Sequence, residues 1–164
     1  MVDHARHAVC THLDTAGVAY TLVEHKAVYT SPEADALGLD HLGTVPKNLF
    51  LRNAKGTRYY LVTLNMEGHV DLAALGRQLD CGKLSFASEE RLQRVLHIER
   101  GAVSPLALLL CDAPEVELIM DCTLVGLPSI GVHPCDNRAT LFLSYSDLIR
   151  MIEQKGYPVR TVEL

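Results

Sequence analysis

The sequence contains no tryptophan, and aromatic residues make up only 5% of its 164 residues. It has no apolar run close to the roughly 18 residues that indicate a membrane-spanning helix. The N-terminal segment MVDHARHAVC carries charged groups where a signal peptide would be apolar. No Ser/Gly-rich linker, charge run or internal repeat divides the chain. We therefore expect one domain, residues 1–164, that is soluble and located in the cytoplasm.

Cysteine is present, but not in a pattern that indicates a disulfide framework or a zinc site. The five cysteines are scattered, odd in number and without a C-x-x-C pair. The nearest approach to a metal cluster is His4, His7 and His12 with Cys10, which has no further ligand at a fixed spacing. We predict no metal ion and no other cofactor.

Several common catalytic motifs are also missing. There is neither G-x-G-x-x-G nor G-x-x-x-x-G-K-[ST], so dinucleotide binding and P-loop chemistry have no support. The segment GAVSP is not G-x-S-x-G, which disfavours Ser104 as a nucleophile. A Cys135 nucleophile with His133 as its base is equally unsupported, because Pro134 between them indicates a turn.

Positive charge is concentrated in one segment of an otherwise acidic chain. The formal net charge is -5, which argues against broad, non-specific binding of nucleic acid. Residues 45–64 nevertheless contain four cations and no acid: Lys47, Arg52, Lys55 and Arg58. This pattern is compatible with a local phosphate contact, and also with a hairpin whose exposed cations prevent edge-to-edge association.

The order of predicted elements indicates an α+β fold. Residues 45–64 predict a β-hairpin, with strands NLFLRN and RYYLVTL around the turn AKGT. Capping residues predict helices after Thr30 or Ser31, after Asp71 and after Ser88. The other predicted elements are a helix over 3–16, a strand over 18–25, strand pairs LALLLCD with VELIMD and SIGVHP with ATLFLS, and a last helix ending at Gly156. We expect a mixed, largely antiparallel sheet or barrel with helices packed outside.

Five segments, in order, resemble the motifs of the YbaK/ProX family, the free-standing relatives of the editing domain inserted in bacterial prolyl-tRNA synthetases. They are EHKAVYTSPEA, VPKNLFLRNAKGTRYYLV, LSFAS, GAVSPLAL and GVHPCDNRATL. The resemblance runs from about Leu13 to the end of the chain and implies the fold of the prolyl-tRNA synthetase associated domain. The chain departs from the family at Lys26, where proline is common, and at Leu106 and Ala107, which follow the SP dipeptide.

The resemblance also implies a set of site residues. Lys47 and Asn48 would form the catalytic pair that holds the terminal adenosine and the reacting ester, and His133 would shape the pocket. Of the apolar residues, Tyr20, Leu22 and Val28 are expected beside Lys47, with core packing as the alternative. The full set expected to bind the aminoacyl group is Tyr20, Leu22, Val28, Gly101, Ser104, Pro105, Gly131, His133, Pro134 and Asn137. Arg52, Lys55 and Arg58 are expected to contact tRNA phosphates.

The function implied by the resemblance is trans-editing, in which Ala-tRNA(Pro) is hydrolysed by a positioned water. One alternative is the Cys-tRNA(Pro) deacylase activity of the YbaK branch. Two others are a non-catalytic module that binds a nucleotide or amino acid in the same pocket, and a metal-dependent hydrolase. The implied partners are the acceptor end of mischarged tRNA(Pro) and, transiently, prolyl-tRNA synthetase, with no membrane and with a monomer or weak homodimer as the oligomeric state.

Overall fold

The computed structural model describes residues 2–65 and 69–164. Its α-helices are α1 (Val2–Thr15), α2 (Ser31–Asp35), α3 (Leu72–Leu79), α4 (Glu89–Leu96) and α5 (Tyr145–Gln154). Its strands are β1 (Thr21–Glu24), β2 (Lys47–Asn53), β3 (Tyr59–Leu64), β4 (Leu84–Phe86), β5 (Val116–Asp121), β6 (Ile130–Val132), β7 (Ala139–Leu143) and β8 (Val159–Val162). Short 3-10 helices span Leu39–Leu42, Pro105–Leu109 and Cys122–Leu124.

The strands form two sheets. The larger sheet has the order β4-β2-β3-β5-β8, and the smaller sheet has the order β1-β7-β6. The pairs β4–β2, β2–β3, β1–β7 and β6–β7 are antiparallel, whereas β3–β5 and β5–β8 are parallel. The predicted α+β class with mixed, largely antiparallel pairing is confirmed. Of the two forms expected, the structure has open sheets and not a barrel.

The β2–β3 hairpin is the element that carries the candidate catalytic pair. Its register places Lys47 opposite Leu64 at one end and Arg52 opposite Tyr59 at the other. Gly56 occupies the turn with φ +66°, a left-handed conformation that favours glycine. The hairpin expected from the sequence is therefore confirmed, with Lys47 at the end of β2 farthest from the turn.

One predicted strand pair is wrong. The run LALLLCD does not form a strand: residues Pro105–Leu109 are a 3-10 helix that begins with the Ser104 side chain accepting a hydrogen bond from the backbone N–H of Leu106. All five residues of this helix are buried, and a short apolar run in a core does not distinguish a strand from a helical turn. Strand β5 pairs instead with β3 and β8.

Side-chain caps fix the starts of the helices. Thr30, Asp71, Ser88 and Ser144 each accept a hydrogen bond from a backbone N–H in the first turn of α2, α3, α4 and α5, respectively. The helix starts predicted at Thr30, Asp71 and Ser88 are confirmed.

Apolar packing covers both faces of the larger sheet. On one face, α3 contributes Leu75 and Leu79 to a smaller cluster that contains Leu51 and Val62. The opposite face belongs to a larger cluster with residues from α1, α4, α5, the Pro105–Leu109 helix and the smaller sheet. Within residues 2–65 and 69–164, no helix has the length and apolar character needed to cross a membrane.

Candidate functional site

A cleft of about 540 Å³ lies where the two sheets approach each other. One wall is the start of β2, and a second is the segment from Val28 to Asp40, which includes α2. Gly101 and Val103 contribute a third side, and β6 and β7 contribute the floor. An isolated bridge between Thr44 and Ile130 connects the backbone just before β2 to β6 at this point.

Six of the residues expected at the site line this cleft. They come from four separate parts of the chain: Val28, Lys47, Asn48, Gly101, Gly131 and His133. The long sequence separations among them mean that the fold, and not a local motif, brings them together.

Lys47 is the first residue of β2 and is exposed, although it lines the cleft. The preceding Pro46 is buried and also lines the cleft, so the backbone that leads to Lys47 is held against the protein. Within the described residues, no carboxylate lies within salt-bridge distance of its ammonium group. The cleft thus has an uncompensated cation at its mouth.

The amide of Asn48 is oriented by the neighbouring strand. Thr63, directly opposite on β3 and fully buried, donates its hydroxyl hydrogen to Oδ1 of Asn48 at 2.7 Å. Because this bond uses the carbonyl end of the amide, the Nδ2 group is left as the donor available to the cleft.

His133 lies at the end of β6 as a neutral imidazole. Its Nδ1 is 2.8 Å from the carbonyl oxygen of Ala139, and a carbonyl can only accept, so Nδ1 carries the proton. Burial lowers the pKa of His133 below its ordinary value of 6.5, and the nearby His25 acts in the same direction. In this tautomer Nε2 is an acceptor.

A second histidine, His25, orients a threonine of the cleft. Its Nδ1 is 2.7 Å from the carbonyl oxygen of Lys26, and its Nε2 is 2.9 Å from Oγ1 of Thr140. The same tautomer argument makes Nε2 the acceptor and Thr140 the donor, which leaves the lone pairs of the Thr140 oxygen free. Thr140 lines the cleft beside His133. The sequence motifs contain both residues but give no sign that they are partners.

The two glycines of the cleft allow close approaches that a side chain would prevent. A Cβ on Gly131 would lie 2.6 Å from Cε1 of Phe142. Gly101 has φ +90°, and a Cβ there would lie 3.1 Å from Cδ1 of Tyr29 and 3.2 Å from Nδ2 of Asn137. The walls at both positions are therefore packed backbone.

Four other residues of the expected set support the walls without lining the cleft. Asn137 donates from Nδ2 to the carbonyl oxygen of Val28 at 2.8 Å and so ties the Val28 loop to the β6–β7 turn. Ser104 and Pro105 are buried at the start of a 3-10 helix, and Pro134 is buried in the β6–β7 turn.

Tyr20 and Leu22, which were expected beside Lys47, lie elsewhere. The Tyr20 hydroxyl donates to Oδ1 of Asp14 at 2.9 Å, next to α1. Leu22 pairs with Leu141 across β1 and β7 and packs against the larger core. Strand β1 is separated from β6 by β7, which accounts for their distance from the cleft.

The segment from Tyr29 to Asp40 contributes more of the cleft than the sequence indicated. Tyr29 is 67% exposed at the rim, and the carboxylates of Asp35 and Asp40 are also among the lining groups. The run of small and polar residues in YTSPEA was interpreted only as the start of a helix, so its position over the cleft was missed.

The remaining cations of the hairpin are far from the cleft. Arg52 is near the turn, where its Nη1 contacts the carbonyl oxygens of Asn53 and Ala54 at 3.5 and 3.4 Å. Lys55 and Arg58 are exposed at the turn itself. Five residues of strand separate Lys47 from Arg52, which corresponds to roughly 17 Å.

Neither cysteine chemistry nor metal binding has a visible centre here. Burial raises the pKa of the Cys135 thiol to about 12, so a thiolate nucleophile beside His133 is disfavoured. Within the part of the chain that the structure describes, no three His, Cys, Asp or Glu side chains are grouped so that they could hold a metal ion.

The family model of the aminoacyl-tRNA editing domain matches residues 25–151. The chain is 42% identical over 160 residues to the prolyl-tRNA editing protein ProX of Acetoanaerobium sticklandii, with 98% of each chain covered. It is 33% identical over 150 residues to the prolyl-tRNA synthetase associated domain-containing protein 1 of Mus musculus, with 88% of each covered. A crystal structure described as a proposed trans-editing enzyme for prolyl tRNA synthetase superposes with a TM-score of 0.73 at 23% identity, covering 98% of this chain and 97% of the other. This last likeness concerns the fold.

Proposed function

Because the chain belongs to the aminoacyl-tRNA editing domain family, we propose that it is a hydrolase that deacylates mischarged tRNA(Pro), with Ala-tRNA(Pro) as its preferred substrate. The observation that carries this proposal is the meeting of Lys47, Asn48 and the neutral His133 in one cleft. The proposed unit is a single editing domain that acts in the cytoplasm as a monomer or weak homodimer and associates transiently with prolyl-tRNA synthetase.

The reaction needs no covalent intermediate. A water oxygen attacks the ester carbonyl carbon, and the bond between that carbon and the ribose oxygen breaks. The water supplies one proton to the departing ribose oxygen, and the free amino acid leaves with the other oxygen of its carboxylate. The protein must therefore orient water, stabilise the negative charge that develops on the carbonyl oxygen, and hold the terminal nucleoside.

Lys47 and Asn48 supply the donors for this task. The Lys47 ammonium and the Asn48 Nδ2 group are adjacent at the start of β2, and both belong to the lining of the cleft. We assign them to the terminal ribose and to the developing oxyanion. A donor placed in advance against such charge contributes roughly 10²- to 10³-fold to the rate.

His133 can accept a hydrogen bond from the substrate without becoming charged. Its Nε2 is an acceptor because Nδ1 donates to Ala139. We assign it to the α-amino group of the aminoacyl moiety or to the attacking water, which the same lone pair can bind. It shapes the pocket and is not an obligatory base.

Selectivity for a small aminoacyl group follows from the packed walls. Val28, Gly101 and Gly131 line the cleft, and neither glycine position has space for one additional carbon. Contact with one methylene group discriminates by only about 1–3 kcal/mol, but a steric clash with backbone can exceed that. This supports alanine, with cysteine as the alternative that differs from it by one sulfur atom.

The cations near the hairpin turn are proposed to contact phosphates of the acceptor end. Arg52, Lys55 and Arg58 are beyond reach of the ester, so their role is binding and not chemistry. Phosphate contacts of this kind position a nucleic acid but do not specify its sequence.

The experiment that tests the proposed function is a deacylation panel. The protein is mixed with tRNA(Pro) charged with alanine, cysteine or proline, and with alanyl-tRNA(Ala) as a control for the tRNA. The expected result is rapid loss of alanine from tRNA(Pro) and much slower loss of proline. No hydrolysis of any of the four substrates would reject the proposal, and preference for cysteine would move the chain to the alternative activity.

A further inference from the structure

A second group of cations lies beside the hairpin turn and is contributed by α4. Nη1 of Arg91 and Nη2 of Arg94 both donate to the hydroxyl oxygen of Tyr59, at 2.5 and 3.1 Å. Arg91 also contacts the carbonyl oxygen of Gly56 at 3.4 Å, and its guanidinium carbon is 6.0 Å from the centroid of the Tyr59 ring. These three side chains, Arg91, Arg94 and Tyr59, are called the arginine cluster below.

The cluster has donors but lacks an acceptor. The Tyr59 oxygen accepts from both arginines, so its own O–H hydrogen remains to be donated, together with the other guanidinium N–H groups. Within residues 2–65 and 69–164, neither arginine has a carboxylate at salt-bridge distance. The carboxylate of Glu89, in the first turn of α4, is paired with Arg100 at 3.4 Å. An anion with several acceptor oxygens, such as a phosphodiester, satisfies these groups.

The geometry of the cluster is fixed by the core. Tyr59 is 2% exposed and stacks on Phe50, with ring centroids 5.2 Å apart. Gly56 leaves the space that the Arg91 guanidinium occupies, since a Cβ there would lie 2.8 Å from Nη1. The arginines are therefore held in place before any ligand binds, unlike the exposed cations of the turn.

The strand register relates the cluster to the cleft. Residues directly opposite each other in a hairpin share a face, so Tyr59 and Arg52 lie on the same face as Asn48 and Thr63. Four residues of β2 separate Asn48 from Arg52, which corresponds to roughly 13 Å. At roughly 3.4 Å between successive phosphates of one stacked strand, this distance spans about four nucleotides.

We propose that the arginine cluster binds a backbone phosphate of the tRNA about four nucleotides from the aminoacylated end. This inference rests on the proposed function for the identity of the RNA, and it names a binding surface on α4 separate from the cleft. Arg52, Lys55 and Arg58 surround the cluster at the same end of the hairpin and add to the local positive charge.

The test compares two double variants that each remove two positive charges. Arg91→Gln with Arg94→Gln changes the cluster, and Arg77→Gln with Arg150→Gln changes α3 and α5 as the matched control. Binding of uncharged tRNA(Pro) is measured by fluorescence anisotropy across a salt series. The cluster variant is expected to bind at least about 10-fold more weakly at low salt, with the slope of log Kd against log salt reduced by about 1.4 to 1.8, while the control is much less affected. Equal effects of the two variants on affinity and slope would overturn the proposal.

Deacylation supplies a second measurement that separates binding from folding. On alanyl-tRNA(Pro) the cluster variant should raise KM and leave kcat unchanged. On an alanyl-trinucleotide that ends before the cluster, wild type and variant should have the same kcat/KM. A comparable loss on the trinucleotide would show that the arginines support the fold or the cleft, which also overturns the proposal.

The outcomes distinguish this inference from the proposed function. If the wild-type protein hydrolyses no charged tRNA, the proposed function fails, and the anisotropy measurement still decides whether the cluster binds RNA. Tyr59→Phe provides a milder variant that keeps the aromatic core contact. It should weaken tRNA binding in the same direction as the arginine changes, because it removes the hydroxyl that orients both guanidinium groups.

Discussion

The hydroxyl of Thr63 donates to Oδ1 of Asn48 at 2.7 Å across the β2–β3 pair, and Thr63 is fully buried. This bond fixes which end of the Asn48 amide is available to the cleft. If the Asn48 Nδ2 group is a donor to the substrate, then the role of Thr63 is to hold that donor in place.

Thr63→Val should therefore reduce kcat/KM without unfolding the protein. Valine matches the shape of threonine, and loss of one neutral hydrogen bond corresponds to about 0.5–1.5 kcal/mol, or roughly 3- to 10-fold in rate. Thr63→Ser, which keeps the hydroxyl, is the matched control and should retain activity within about twofold. The measurement is steady-state deacylation of alanyl-tRNA(Pro), with thermal unfolding of all three proteins in parallel. Full activity of the valine variant would show that the amide does not need this orientation.

Lys47→Ala should have the largest effect of any single cleft substitution. The ammonium group is uncompensated and close to the proposed reaction centre, so its removal is expected to lower kcat by roughly 10²- to 10³-fold. Lys55→Ala removes the same charge from the far end of the same hairpin and serves as the control, with kcat expected to remain unchanged. If both variants kept the wild-type kcat, the catalytic assignment of Lys47 would be withdrawn.

Protonation of His133 should make the folded protein less stable in mild acid. Burial lowers the pKa of His133 in the folded state below its ordinary value of 6.5. The imidazole is neutral in both states above that value, so it does not affect stability there. As the pH falls below about 6.5, the unfolded chain binds the proton first, and stability declines until the folded-state pKa is passed.

His133→Asn should accordingly flatten this part of the stability profile. The free energy of unfolding, from urea titrations at pH 7.5 and at pH 5.0, should differ less in the variant than in the wild type. His7→Asn changes an exposed histidine of α1 and should leave the difference between the two pH values as in the wild type. A wild-type profile that does not decline between these pH values would contradict the expectation.

Much of the fold could be predicted from the chain because its signals are local. Gly56 and the alternating apolar residues around it specify the hairpin, and Thr30, Asp71 and Ser88 mark helix starts by the hydrogen bonds that their own side chains make. Residues 105–109 were predicted wrongly because their pattern is apolar throughout, which fits a buried strand and a buried 3-10 turn equally well.

The candidate site shows the opposite behaviour, because its orienting contacts are not local. Lys47, Asn48 and His133 were identified by resemblance to a family, whereas the partners that hold the cleft were not identified. The bond from Thr63 to Asn48 spans 15 residues, and that between Thr140 and His25 spans 115. A single sequence contains no periodic or spacing signal for such pairs, since strand register and sheet order decide them.

Gly131→Ala tests the packed wall of the cleft. The added Cβ would lie 2.6 Å from Cε1 and 2.9 Å from Cζ of Phe142, so the ring or the strand must shift. Overpacking of this kind costs about 1–3 kcal/mol, which a urea titration can measure. Because the wall also borders the cleft, the KM for alanyl-tRNA(Pro) should rise.

Phe142→Leu in the Gly131→Ala background should recover part of that loss, because leucine removes the ring atoms that the new carbon would meet. The two changes should therefore be non-additive, with the double variant more stable than the sum of the single effects. Strict additivity would show that the clash is relieved elsewhere, and an unchanged KM would show that this wall does not contact the aminoacyl group. Together, the stability and KM readings separate a packing role of Gly131 from a role in excluding larger side chains.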